Sequence, residues 1–88
     1  MQLQDALPDQ LKQAIAERWS LLVPAGTIEY HGPHLPLGVD TLIVEELCRR
    51  VAERVKCLIA PPFWYGPTGY AVTGPEQGTV DVSTERFG

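Results

Sequence analysis

Apolar positions recur at helical spacing twice along this chain and run continuously twice. Leu7, Leu11, Ala14 and Ile15 share one face, and Pro8 suits a first helical turn because its missing N–H would have had no partner there. This predicts a short amphipathic helix from Pro8 to Arg18. The unbroken run Leu21 to Ala25 predicts a strand covered on both faces, as in a parallel sheet. From Asp40 onward, Ile43, Val44, Leu47, Cys48, Val51, Ala52 and Val55 form an apolar stripe, with Glu45, Glu46, Arg49, Arg50, Glu53 and Arg54 on the other side. That is the pattern of a surface helix, and Asp40 stands where its N-cap belongs. A second apolar run, Cys57 to Ala60, completes strand, helix, strand, which predicts an α/β fold with a right-handed parallel crossover.

Beyond Ala60 the pattern changes. Pro61, Pro62, Gly66, Pro67, Gly69, Gly74, Pro75 and Gly78 alternate with Phe63, Trp64, Tyr65 and Tyr70, which reads as an ordered aromatic loop. Residues Thr79 to Ser83 alternate like a strand, and Thr84 to Gly88 like the start of a helix capped by Ser83 or Thr84. Two or three strands with so few helices leave bare sheet edges and uncovered faces. Residues 1–88 are therefore expected to be the N-terminal part of a single larger domain, or one chain of a larger assembly.

Composition narrows the partners. At 88 residues the chain forms one domain at most, with a modest core. Its net charge of −4 and lack of a Lys/Arg cluster argue against a nucleic-acid surface, and no apolar stretch approaches the roughly 18 residues a membrane helix needs. The first residues lack the basic region and apolar core of a signal peptide, so a cytoplasmic location is expected. Cys48 and Cys57 read as small core residues rather than a disulfide.

The chemistry concentrates between Gly26 and Asp40, at the carboxyl end of the first predicted strand, where open α/β sheets bind their ligands. Glu29 and His31, at i and i+2 on an extended segment, point to one face. Gly32-Pro33 and Leu35-Pro36-Leu37-Gly38 can fold the chain back so that Asp40 returns to them. Carboxylates with imidazole suit zinc, manganese or iron(II). Spacing alone leaves a plainer alternative open, in which Glu29 is a solvated acid, His31 and His34 are polar loop residues, and Asp40 is a helix cap.

The run Pro24-Ala-Gly-Thr-Ile-Glu29-Tyr-His31-Gly-Pro-His34-Leu-Pro-Leu-Gly-Val-Asp40 resembles the signature of the creatininase family, Pro-x-Gly-Ser/Thr-x-Glu-x-His-Gly-x-His-Leu-Pro-x-x-x-Asp. The likeness extends more loosely to Pro61-Pro62, Tyr65-Gly66-x-Thr68 and Gly78-Thr79. It implies the N-terminal part of a three-layer α/β fold with a mainly parallel sheet. It also implies a metal-dependent amidohydrolase in which Glu29, His31 and Asp40 bind a pair of divalent ions, zinc, manganese or iron, with Asp40 bridging them. His34 would support those ligands from behind, and Thr68 would contact substrate.

On this resemblance, a metal-activated hydroxide attacks an amide or related carbonyl of a small, cyclic substrate. Family members complete the site with a further histidine and glutamate, which lie outside this sequence, so the remaining C-terminal half or a companion chain is expected as a partner and the isolated chain is expected to be inactive. The resemblance also implies a homo-oligomer, a hexamer. Gly69-Tyr70-Ala71 and Gly74-Pro75-Glu76-Gln77 depart from the family pattern, which points away from creatinine towards other cyclic amides, formamides, a peptide bond of a cofactor precursor or a carbon–carbon bond of a cyclic diketone. Trp64, Tyr65 and Tyr70 are candidates for the pocket wall or for subunit contacts. The rival readings are a non-catalytic fragment or subunit that keeps the fold, and a mononuclear metal-binding protein.

Overall fold

A computed structural model describes residues 1–68 and 78–87. Tyr70, and the departures from the family pattern at 69–77, lie outside the described residues. A 3-10 turn at Leu3–Asp5 leads into helix α1, Pro8–Ala16, which opens with Pro8 and with the Leu7 N–H donating to Gln10 Oε1 at 2.8 Å. The helix ends two residues before the predicted Arg18. Arg18 adopts a left-handed φ of 58°, with its own N–H on the Ile15 carbonyl and that of Trp19 on the Ala14 carbonyl. This pair of bonds closes a helix and turns the chain out of it, normally with a glycine at the left-handed position. Arg18 gave no such signal in the sequence.

Strand β1, Ser20–Leu22, pairs in parallel with β2, Cys57–Ile59, in the register Ser20 to Cys57, Leu21 to Leu58 and Leu22 to Ile59. The ladder stops short of the predicted Ala25 because Pro24 on one side and Pro61-Pro62 on the other have no N–H to donate. It resumes for one step where Ala25 bridges Phe63. On the far edge of β2, Gln2 bridges Ile59, and the Met1 ammonium donates to the Cys57 carbonyl at 3.0 Å. With neighbours on both edges, Cys57, Leu58 and Ile59 are all buried. Leu21 and Val23 are about half exposed, at 53% and 52%, which corrects the expectation that the first strand is covered on both faces. Among the described residues β1 pairs with one strand, β2.

Helix α2, Val39–Ala52, is the parallel crossover and packs on β2. The expected apolar stripe is divided. Thr41, Val44, Cys48 and Ala52 turn inward, while Leu42, Ile43, Leu47, Val51 and, just past the helix, Val55 remain exposed. Polar Thr41, at 0% exposure, is the most deeply buried of the inward line. On the outer surface Arg49 bonds both Glu46 and Glu53, and Arg50 bonds Glu46 at 3.1 Å.

Thr79 to Ser83 is not a strand. Its N–H groups reach two different segments, Val80 to the Ile28 carbonyl at 2.9 Å and Val82 to the Gly66 carbonyl at 3.1 Å, so no continuous ladder forms. A one-turn helix α3, Thr84–Phe87, follows. Among the described residues, no helix is long and apolar enough to cross a membrane.

Candidate metal centre

The site begins where the ladder ends. Phe63 donates its N–H to the Pro24 carbonyl at 2.9 Å, and its own carbonyl accepts from Gly26 N–H at 3.0 Å and from Thr41 Oγ1 at 2.9 Å. One carbonyl therefore joins the loop after β1 to the first turn of α2. Gly26 permits the approach: a Cβ there would lie 2.5 Å from the Thr41 nitrogen and 2.9 Å from its Cα.

From this junction the loop runs out through Glu29 and His31 and returns. The Glu29 N–H donates to the Leu37 carbonyl at 2.9 Å, Gly32 takes a φ of 98°, and Val39 N–H closes a turn on the Pro36 carbonyl. The returning chain enters α2 two residues earlier than the capping pattern predicts. Gly38 is the N-cap, without a side-chain bond, and Asp40 sits in the first turn as the second helical residue. Asp40 is therefore not a helix cap, and its carboxylate is directed elsewhere.

It faces His31. Nε2 of His31 lies 3.5 Å from Asp40 Oδ1 and 3.6 Å from Glu29 Oε1, and one ligand atom from each of the three residues falls within 4.8 Å of the others. Bonds of about 2.1 Å to a single ion, at angles between square and tetrahedral, place ligand atoms about 3.0–3.4 Å apart. The cluster is open by only a few tenths of an ångström on its two short sides, so the donor set fits a divalent cation. The side chains are 13%, 32% and 41% exposed for Glu29, His31 and Asp40, a gradient from the interior to the surface.

The imidazole is already oriented for a ligand. Its Nδ1 is 3.1 Å from the Glu29 carbonyl oxygen. With the proton on Nδ1, that nitrogen donates to the carbonyl and the Nε2 lone pair is directed at the two carboxylates, the arrangement in which histidines bind metals.

His34 is not part of the cluster. Its exposed ring lies over Gly32, where a Cβ would come within 2.9 Å of its Cε1. Thr68 donates both its N–H and its hydroxyl to Asp81 Oδ1, at 2.8 and 2.9 Å. Trp64 packs on Gly38 at the entry to α2, where a Cβ would meet its ring at 2.8 Å. Tyr65 lines an open cleft of about 210 Å³ with Phe63, Pro67 and Phe87, and none of the three clustered residues borders it. Sequence reasoning missed Thr41 and Asp81. Thr41 sits on the inward side of an amphipathic helix where an apolar residue is the expectation, and Asp81 stands inside an alternation that mimics a strand.

Comparison with known proteins identifies the family. The family described as creatinine amidohydrolase matches residues 5–88. The chain is 36% identical over 78 residues to the 3-dehydro-scyllo-inosose hydrolase of Thermotoga maritima, covering 89% of this chain and 25% of that protein. Its fold superposes on a manganese creatininase with a TM-score of 0.83 at 28% identity, covering 93% of this chain and 34% of that one. A zinc–zinc form of a creatininase variant gives 0.80 at 28% identity, covering 92% and 33%. The chain thus spans a quarter of that curated relative and about a third of the solved chains. With nearly its whole length matched by the family and its α/β fold shared with solved members, the chain belongs to the creatininase family.

Proposed function

We propose that this chain supplies Glu29, His31 and Asp40 to a binuclear divalent-metal site of a hydrolase that cleaves an amide or related carbonyl bond in a small, cyclic substrate. The observation that carries the reading is His31, whose Nε2 is directed between two carboxylates while Nδ1 is tied to a backbone carbonyl. Zinc and manganese forms among its structural neighbours support a divalent ion of that kind. When bound, the ions would supply an activated water as nucleophile and polarise the carbonyl under attack.

The residues of the chain divide the remaining work. Glu29, the least exposed of the three, would hold an ion from the inner side, and Asp40, the most exposed, would be the ligand that the two ions share. The Thr41 and Gly26 junction keeps Asp40 in register with the loop. His34 packs on Gly32 and stiffens the turn that follows His31. Thr68, held by Asp81, would be a substrate contact.

Residues 1–88 act as the N-terminal part of one domain, whose remaining ligands come from further chain or a companion. The assembly is a cytoplasmic homo-oligomer, a hexamer. Metal titration of the complete protein, followed by a hydrolysis screen of cyclic amides, formamides and cyclic diketones, tests the reading. Two ions per site with turnover of one class supports it. Metal binding without turnover favours the non-catalytic subunit, and one ion per site favours the mononuclear protein.

A further inference from the structure

The segment Ile28 to Tyr30 is held from both edges. On one edge the Val80 N–H donates to the Ile28 carbonyl at 2.9 Å, and the Tyr30 N–H donates to Thr79 Oγ1 at 3.0 Å. On the other, the Glu29 N–H donates to the Leu37 carbonyl. This is the alternation of an extended strand, although Thr79 contributes a side chain where a strand would offer a carbonyl. Gly78, at a φ of 96°, turns the chain against the Leu37 side chain, where a Cβ would come within 2.6 Å, and so delivers Thr79 to the loop.

The Tyr30 N–H and the Glu29 carbonyl are two ends of one planar peptide unit. Thr79 holds the first end and His31 Nδ1 meets the second at 3.1 Å. Rotating that plane would move the carbonyl that Nδ1 meets and, with it, the direction in which Nε2 points.

Resting on the metal site proposed above, we infer that Thr79 is a positioning residue, acting through the 29–30 peptide to fix the orientation of the His31 ring. Groups that orient a metal-binding histidine in this way tune its affinity without touching the ion.

The test compares wild type with Thr79→Val, which keeps the shape and loses the acceptor, and with Thr79→Ser, which keeps the acceptor. Thr79→Ala is the second acceptor-free variant should Val not fold. Two readouts are taken on the full chain, the affinity for zinc alone by competition with a chelating dye and, with zinc bound, the exchange of the His31 Nδ1 proton with solvent by ¹⁵N NMR. Wild type and Thr79→Ser should show a protected Nδ1 proton and similar affinity. Thr79→Val or Thr79→Ala should exchange that proton faster and bind zinc about three- to tenfold more weakly, the scale set by one hydrogen bond. Unchanged exchange and affinity in Val and Ala, or equal losses in Ser and Val, would overturn the inference while leaving the metal site standing. A wild-type chain that binds no zinc would remove the metal site and this inference together.

Discussion

Thr41 donates its hydroxyl proton to the Phe63 carbonyl at 2.9 Å, and it is the immediate neighbour of Asp40. The bond ties the start of α2, at a fully buried Thr41, to the segment after β2, and so sets where Asp40 begins its reach towards His31. Replacing Thr41 by Val leaves the shape and removes the donor. Loss of one buried hydrogen-bond partner should lower stability by about 1–3 kcal/mol, measured as a reduced urea midpoint with unchanged slope. Thr41→Ser, which keeps the donor, should lose less than Val, and the reverse order would contradict the role given to the hydroxyl.

Gly26 meets the same turn from the other side. A methyl at this position would press on Thr41 backbone atoms, which cannot swing aside as a side-chain tip can. Gly26→Ala should therefore destabilise by about 1–3 kcal/mol and displace Asp40 from His31. A thermal midpoint equal to that of the wild type would show that Gly26 and Thr41 do not approach so closely.

On the outer face of α2, Glu46 is held down to about 2 by hydrogen bonds from Arg49 first and Arg50 second, from an ordinary value of 4.5. Because the folded value is the lower one, the contribution of these pairs is present above about 4.5 and is lost as the pH falls towards about 2. Glu46 is exposed, so salt should weaken the effect. A carboxyl ¹³C titration should find the Glu46 midpoint near 2, moving upward in Arg49→Gln. A wild-type midpoint at 4.5 would mean that the pairs are not populated in solution.

Removing a ligand should separate metal binding from folding. Asp40 makes no cap, so Asp40→Ala should keep the helical circular dichroism of the wild type while binding zinc at least about tenfold more weakly. Loss of helix in this variant would reinstate the cap.

What the sequence made legible was local or carried by a motif. Glu29 and His31 at alternate positions, the Gly-Pro and Leu-Pro turns, and Asp40 after them point to one cluster, and the structure brings those three side chains together. The two apolar runs and the crossover helix were legible for the same reason, since each is a periodicity within a few turns or residues.

What escaped depended on distant partners. The cap position at Asp40 is a local preference, overridden when the Pro36 turn let the helix start at Val39. Val80 and Val82 look like members of one strand until their N–H groups are found on Ile28 and Gly66. Ile43, Leu47 and Val51 turn outward while polar Thr41 is buried, an arrangement that no hydropathy pattern favours.

The claim that Glu29, His31 and Asp40 hold a divalent ion is tested most directly by anomalous diffraction from crystals of the complete protein grown with zinc or manganese. The account predicts two metal peaks, with at least one about 2.0–2.2 Å from a Glu29 carboxylate oxygen, His31 Nε2 and an Asp40 carboxylate oxygen, and with Asp40 shared between the two. Metal bound away from these three residues, or reached by His31 through Nδ1, would contradict it.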